Sequence, residues 1–287
     1  MDEVAKIIQQ EFEIDEENSI DKRKKDTPEQ FGYMSLHFVA AIGVERLSLP
    51  EYRQYANIVA EIQIRSIIQH AWAEIEHDLG YKSELEIPYG IRRAFYRLSA
   101  LLEQADLNFS NIRQELTDYE THVTRIIGRP SEDFGDLGID KLTLLEYIKS
   151  IRLVSVIDAK IAKALKTHVV PISPERGTFL TKITIPNRIR QLHLVGINKL
   201  SVLDEELKRH ESAVVSVGST VLSMPDDSNF SEITVAKGSC VFFLCYVISA
   251  LKGRDALLEY MREAKFSEPA ESHESFASAI MHSLGIE

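Results

Sequence analysis

Cysteine is scarce in this sequence of 287 residues, in which Cys240 and Cys245 are the two cysteines. They lie inside one apolar stretch and offer neither a disulfide framework nor a CxxC metal knuckle. Cysteine usage of this kind is typical of a reducing compartment. We therefore expect a cytoplasmic protein.

Long apolar runs and excess positive charge are also lacking. The most apolar stretch, residues 241–251, is shorter than the roughly 20 residues that a membrane span requires. The first residues show no basic segment followed by an apolar one, so no signal peptide is predicted. The net charge of −11 argues against general nucleic-acid binding, which depends on neutralising phosphates with Lys and Arg. Neither a membrane nor nucleic acid in general is expected as a partner.

Hydrophobic periodicity divides the first part of the chain into short elements. Residues 3–12 have helical spacing, and the charged stretch that follows, to about residue 25, is predicted to be a loop. Residues 35–42 and 59–65 alternate with a period of two, which predicts two strands, each with one apolar and one polar face. The second strand runs straight into an apolar helix, so we expect it to be central in its sheet.

Ser66 begins a predicted helix whose buried stripe includes Ile67, Trp72 and Ile75. After Pro88 comes a longer signal, predicting one helix over about residues 88–125. Its apolar residues alternate in steps of four and three, as in a coiled coil. We call this set the heptad seam; its members are Ile91, Phe95, Leu98, Leu102, Ala105, Phe109, Ile112, Leu116, Tyr119 and Val123.

Residues 129–138 are rich in turn-forming residues and are predicted to be a linker. Beyond it the pattern predicts a helix from Thr143 toward Leu165, further helices at about 187–194, 201–211 and 238–264, and a β-compatible piece at 214–222. The fold class expected is α+β, with a partial nucleotidyltransferase-like mixed sheet and flanking helices. The domains expected are 1–128 and a mainly helical region, 139–287, of unassigned role.

Polar residues that suit catalysis or binding fall in three short motifs. Tyr33 follows a glycine at the start of the first predicted strand, where it is either packed or an exposed aromatic platform. Glu61, Gln63 and Arg65 form a row on one face of the second strand, which is either a solvated surface or a ligand site. His70, Glu74 and His77 share a helix face but lack the HExxH pattern and a third metal ligand, so a solvated or paired face is favoured.

Together, these motifs resemble the second half of the RelA/SpoT synthetase domain, over about residues 1–125. The resemblance rests on their order, which is G-Y-x-S-L-H at 32–37, E-x-Q-I-R at 61–65, H-x-W-A-E-x-x-H at 70–77 and Y-K at 81–82. In the family the strand motif reads E-x-Q-I-R-T, and Ser66 stands here in place of the threonine.

The resemblance implies a GTP pyrophosphokinase, which transfers pyrophosphate from ATP to the 3′-hydroxyl of GDP or GTP with Mg²⁺ and so makes the alarmone ppGpp. By position, Tyr33 matches the tyrosine that stacks on guanine. Glu61 matches the carboxylate that binds magnesium and accepts the hydroxyl proton. The other nucleotide-binding residues expected are His37, Gln63, Arg65, Lys22 and Lys25.

Family members also carry a basic loop that grips ATP and an aspartate that supplies another magnesium ligand, both ahead of these motifs. Neither is found in this sequence, so we expect the chain alone to make no ppGpp. Two alternatives stay open: transfer of pyrophosphate to a tRNA 3′-hydroxyl, which the net charge disfavours, and a non-catalytic nucleotide-binding or interaction protein. A homo-oligomer through the sheet edge or the heptad seam is also predicted.

Overall fold

The structure is a computed structural model, and it describes residues 1–23, 34–78, 88–129, 134–171, 185–224, 234–264 and 270–286. The chain divides into two compact units, Met1–Leu116 and Thr117–Glu287. We call them the N-terminal and C-terminal units. The predicted domain division at 129–138 stays a prediction. Among the described residues no helix is long and apolar enough to span a membrane.

The described part of the N-terminal unit contains a small sheet and four α-helices. In chain order these are α1 (Asp2–Glu11), β1 (Phe12–Asp21), β2 (Leu36–Ile42), α2 (Val44–Leu47), β3 (Val59–Ile64), α3 (Ile67–Asp78) and α4 (Tyr89–Ile127), whose last turns belong to the C-terminal unit. The predicted first helix, both predicted strands and the two helices after them are confirmed. The class α+β is also confirmed, whereas the likeness to nucleotidyltransferases stays a prediction.

The sheet departs from expectation in three ways within the described residues. Its order is β1-β2-β3 and both pairings are antiparallel, so the expectation of a mixed sheet is wrong. The charged stretch predicted as a loop forms β1, because pairing with β2 outweighs its weak β propensity. An irregularity between Asp15 and Ile20 interrupts that pairing. The central strand is β2 rather than β3, which lies at an edge.

One sheet face packs against α1. Leu36 and Phe38 of β2, Ile64 of β3 and Ala5 of α1 form this small core. The buried stripe predicted for α3 is wrong in part: Trp72 is 4% exposed, but Ile67 is 88% exposed. The polar residue Gln69, which is not part of the predicted stripe, is buried instead.

Most of the heptad seam before the C-terminal unit is exposed. Leu98 is 42% exposed and Phe109 is 65% exposed, although Phe95, Leu102 and Ala105 are partly buried. At the far end of α4, Val123 and Ile127 are buried in the core of the C-terminal unit.

The C-terminal unit is built almost entirely of helices. They are α5 (Lys141–Ser150), α6 (Arg152–Ala164), α7 (Ile185–Leu194), α8 (Leu200–Arg209), α9 (Glu211–Leu222), α10 (Ser239–Leu251), α11 (Arg254–Glu263) and α12 (Ala270–Ser283), with a short parallel pair, β4 (Val169–Val170) and β5 (Val235–Ala236). The β-compatible piece at 214–222 is wrong, because its valines pack as one face of α9. The helix predicted at 238–264 is divided at Gly253, whose φ of 111° ends the helical path.

Helix α10 lies at the centre of this unit, with ten of its thirteen residues buried. Its start is held by Asp158 of α6. This carboxylate accepts hydrogen bonds from the backbone N–H groups of Gly238 (2.6 Å) and Cys240 (2.9 Å). A side chain from another helix therefore caps α10, since its own N-cap residue is a glycine.

Candidate functional site

Antiparallel pairing of β2 with β3 gathers polar side chains on one sheet face. His37 lies opposite Gln63, and Val39 lies opposite Glu61. Because side chains alternate along a strand, His37, Glu61 and Gln63 project from the face opposite to the core of α1. The predicted polar face of the second strand is therefore present, and β2 contributes a histidine to it.

Both oxygens of Glu61 are bound by its neighbours. The His37 ring donates from Nδ1 to Oε1, because an ionised carboxylate only accepts. The Gln63 amide donates from Nε2 to Oε2 at 3.2 Å. His37 keeps 9% of its side chain exposed, whereas Glu61 keeps 49%. The histidine therefore holds the carboxylate from the protein side, and half of the carboxylate surface faces solvent.

These contacts favour the ionised form of Glu61. The hydrogen bond from His37 makes the largest contribution to lowering the pKa of Glu61, followed by the bond from Gln63. The positive charge of Lys22 acts in the same direction. Lys22 follows β1, and its backbone N–H donates to the Ser35 carbonyl at 2.9 Å. The structure thus brings Lys22, His37, Glu61 and Gln63 together, and their predicted role in nucleotide binding stays a prediction.

Arg65 is placed differently from the other predicted residues. Its guanidinium contacts Glu74 of α3 at 3.4 Å, and His70 approaches the same carboxylate at 3.6 Å. Arg65 therefore binds to α3, while Glu61 is held by β2. Tyr33 and Lys25 lie outside the described residues.

Two supporting residues escape sequence reasoning because their partners are distant in the chain. Gln69 accepts the backbone N–H of Met34 at 3.3 Å, which ties the start of β2 to α3. Ser66 accepts the N–H of Gln69 at 3.0 Å, as an N-cap does, and donates to Asp106 of α4 at 2.6 Å. The capping role of Ser66 is readable from its position before an apolar helix, but its bond to α4 is not.

The carboxylate of Glu61 is a suitable ligand for a magnesium ion. Mg²⁺ prefers oxygen ligands and is commonly held by one or two carboxylates together with substrate phosphates. The Glu61 carboxylate is ionised and half exposed. Within the part of the chain that the structure describes, no group of three or more metal-ligating side chains is found. An ion bound at Glu61 would thus take its other ligands from substrate, water or residues beyond this part.

Comparisons with known proteins agree with the motifs. Residues 1–86 match a family model described as "Region found in RelA / SpoT proteins". The chain is 31% identical over 94 residues to GTP pyrophosphokinase YjbM of Bacillus subtilis (strain 168), which is 33% of this chain and 42% of that protein. It is 30% identical over 90 residues to GTP pyrophosphokinase YwaC of the same organism, which is 31% of this chain and 40% of that protein. The chain thus spans about two fifths of either relative, and no solved structure matches it.

Proposed function

We propose, from the membership of residues 1–86 in the RelA/SpoT-type synthetase family, that the N-terminal unit binds GDP or GTP for pyrophosphate transfer from ATP. The observation that carries this proposal is the carboxylate of Glu61, fixed by His37 and Gln63 with half its surface open to solvent. Both relatives are named GTP pyrophosphokinases.

The reaction assigns one task to each of these residues. Glu61 accepts the proton of the ribose 3′-hydroxyl while the hydroxyl oxygen attacks the β-phosphorus of ATP. The bond between that phosphorus and the bridging oxygen breaks, and this oxygen leaves with AMP. When bound, Mg²⁺ neutralises charge on the phosphates. His37 and Gln63 hold the carboxylate in one orientation, and Lys22 contributes positive charge next to an anionic substrate. Tyr33 stacks on the base, an interaction that contributes about 1–3 kcal/mol where bases stack on aromatic side chains.

Nucleotide titration by calorimetry tests this proposal on the whole chain. We expect tighter binding of GDP than of ADP, and loss of that preference in Tyr33→Ala. In Glu61→Gln the base preference remains while the Mg²⁺ dependence is lost. Glu51→Gln is a matched control, because this exposed carboxylate follows α2, away from the polar row. Equal affinity for GDP and ADP, or an unchanged preference in Tyr33→Ala, would reject a guanine site.

Exposure of the heptad seam favours a second proposal, association of two copies of this chain along α4. Of the eight seam residues from Ile91 to Leu116, five are more than 40% exposed: Ile91, Leu98, Phe109, Ile112 and Leu116. Together with Leu101, 67% exposed beside them, they form an apolar face on the order of several hundred Å². This is comparable to one side of a specific interface, and isolated monomers seldom expose that much.

The charge distribution along α4 favours an antiparallel second copy. Its first turns carry Arg92, Arg93 and Arg97, whereas Glu115, Asp118 and Glu120 lie toward its other end. Antiparallel packing brings each basic end to the acidic end of the other copy, and parallel packing brings like charges together. In the antiparallel register that matches Ile91 with Leu116, the two ends of the exposed part of the seam, Leu98 faces Phe109 of the second copy.

Light scattering after size exclusion tests the association. We expect a dimer for the natural chain, a monomer for Phe109→Asp, and a dimer for Asn111→Asp, which adds the same charge off the seam. Oxidative cross-linking then tests the orientation: Leu98→Cys mixed with Phe109→Cys forms a disulfide, and Leu98→Cys alone does not. Background is low because Cys240 and Cys245 are buried. A monomeric natural chain would refute the association.

A further inference from the structure

The C-terminal unit contains an arginine in its core. Arg188 of α7 is 7% exposed. Its guanidinium carbon lies 4.0 Å from the centre of the Phe242 ring, and Nη1 donates to Oε1 of Gln191 at 3.1 Å. No carboxylate is among the described contacts of Arg188. Buried arginines are almost always paired with an anion, so this environment is incomplete for a cation.

The groups surrounding the guanidinium do not supply the missing negative charge. Cys245, Tyr246 and Tyr260 lie close enough to act on it electrostatically. Burial raises the pKa of Cys245 to about 12 and also raises the pKa of both tyrosines, so all three are neutral near pH 7. Burial lowers the pKa of Arg188 to about 10, which leaves it charged at that pH. The described groups around Arg188 therefore do not balance its positive charge.

A hydroxyl group near the guanidinium lacks a strong acceptor. The oxygen of Tyr260 is sealed from solvent and faces the Cys245 thiol, which is a weak hydrogen-bond acceptor. Tyr260 is held in α11, and its ring packs edge-on against Tyr246 at 5.6 Å between centres. A sealed donor without a strong acceptor is unfavourable, and the binding of an oxyanion removes that cost.

We propose that Arg188 and Tyr260 form a binding site for a small oxyanion, the carboxylate or phosphate group of a ligand. A guanidinium edge binds two oxygens of such a group side by side, and the Phe242 ring packs against the guanidinium. The tyrosine hydroxyl supplies a further donor. Because Arg188 is only 7% exposed, the site suits a small anion rather than a large one.

Thermal melting of the full chain tests this site. Phosphate or acetate replaces chloride at constant ionic strength, so that general salt effects cancel. We expect one of the two anions to raise the Tm of the natural chain progressively with concentration, because a ligand bound to the native state stabilises it. The anion that acts identifies the ligand class. The rise is absent in Arg188→Met and present in Arg209→Met, which removes an exposed arginine of α8.

Tyr260→Phe is the second variant, in case Arg188→Met does not fold. It keeps the ring packing and removes one donor, so the anion dissociation constant is expected to rise about tenfold, the effect of one lost hydrogen bond of about 1.4 kcal/mol. Native mass spectrometry of the purified chain detects a ligand that is retained through purification. The site is refuted if neither anion raises Tm above chloride and no retained mass is found, or if Tyr260→Phe responds to the anion as the natural chain does.

Discussion

Asp158 is fully buried where α10 begins, and its carboxyl group accepts hydrogen bonds from the N–H groups of Gly238 and Cys240. These bonds favour the ionised form, but burial outweighs them and raises the pKa of Asp158 from 3.8 to about 6. The side chain is therefore protonated in the folded chain over a range of pH in which it is ionised in the unfolded chain.

The direction of the pH effect follows from this difference. Between about pH 4 and pH 6 the folded state holds one more proton at Asp158 than the unfolded state, so raising the pH through this window lowers the free energy of unfolding. A shift from 3.8 to about 6 corresponds to about 3 kcal/mol at most. Carboxylates in ion pairs, which have lowered pKa values, act in the opposite direction.

Urea denaturation of the natural chain and of Asp158→Asn, followed by circular dichroism at several pH values, isolates this residue. Asparagine has nearly the same shape and does not titrate, and its single amide oxygen accepts one of the two N–H groups, so the bond that it loses costs the same at every pH. We expect the free energy of unfolding of the natural chain, minus that of the variant, to fall by about 2 kcal/mol from pH 4 to pH 6.5, since the rest of the full difference lies outside this pH range. A constant difference, or one that grows with pH, would refute the reasoning.

Three further predictions concern packing and are read from thermal or urea unfolding. Gly218→Ala should destabilise the chain by about 1–3 kcal/mol, because the new methyl group would lie 2.8–2.9 Å from side chains of α10 and α6, whereas Gly90→Ala meets nothing within 4 Å and should be neutral or slightly stabilising. Tyr147→Phe should cost about 1–3 kcal/mol, because its buried hydroxyl donates at 2.8 Å to a buried carboxylate of α8. Trp72→Ala should cost about 3–5 kcal/mol and Ile67→Ser less than about 0.5 kcal/mol, since the tryptophan is 4% exposed and the isoleucine 88%. The reverse order would contradict the burial described for α3.

Sequence reasoning succeeds where a residue's role depends on near neighbours. Alternation along 59–65 predicts that Glu61 and Gln63 share a face, and the structure confirms it with their hydrogen bond. Heptad spacing predicts α4 because helical periodicity repeats over many turns.

Sequence reasoning fails where contacts between distant parts of the chain determine the structure. β1 is strongly charged, and it forms a strand because it pairs with β2, which begins fifteen residues after β1 ends. Likewise, Asp158 caps a helix eighty residues further along the chain, and no local pattern contains both partners. The seam of α4 shows the same limit, because its spacing predicts a helix with an apolar face but not what covers that face.

The contact between His37 and Glu61 leads to a last prediction. In the proposed function Glu61 accepts a proton and would bind Mg²⁺, and protonation abolishes both roles. Since the bond from His37 is the largest cause of the lowered pKa of Glu61, His37→Asn should raise that pKa. Mg²⁺-dependent GDP binding, which is lost as the pH falls through the pKa of Glu61, should then be lost at a higher pH than in the natural chain.

Gln63→Ala is the matched comparison, because its hydrogen bond is the second cause of the lowered pKa and reaches the other oxygen of the same carboxylate. Its effect on the pH midpoint should have the same sign and be smaller. Calorimetric titration of GDP with and without Mg²⁺, repeated from pH 4 to pH 7, measures both midpoints. A midpoint that moves down in His37→Asn, or moves further in Gln63→Ala, would mean that another residue sets the ionisation of Glu61, and His37 would then be a packing residue of β2.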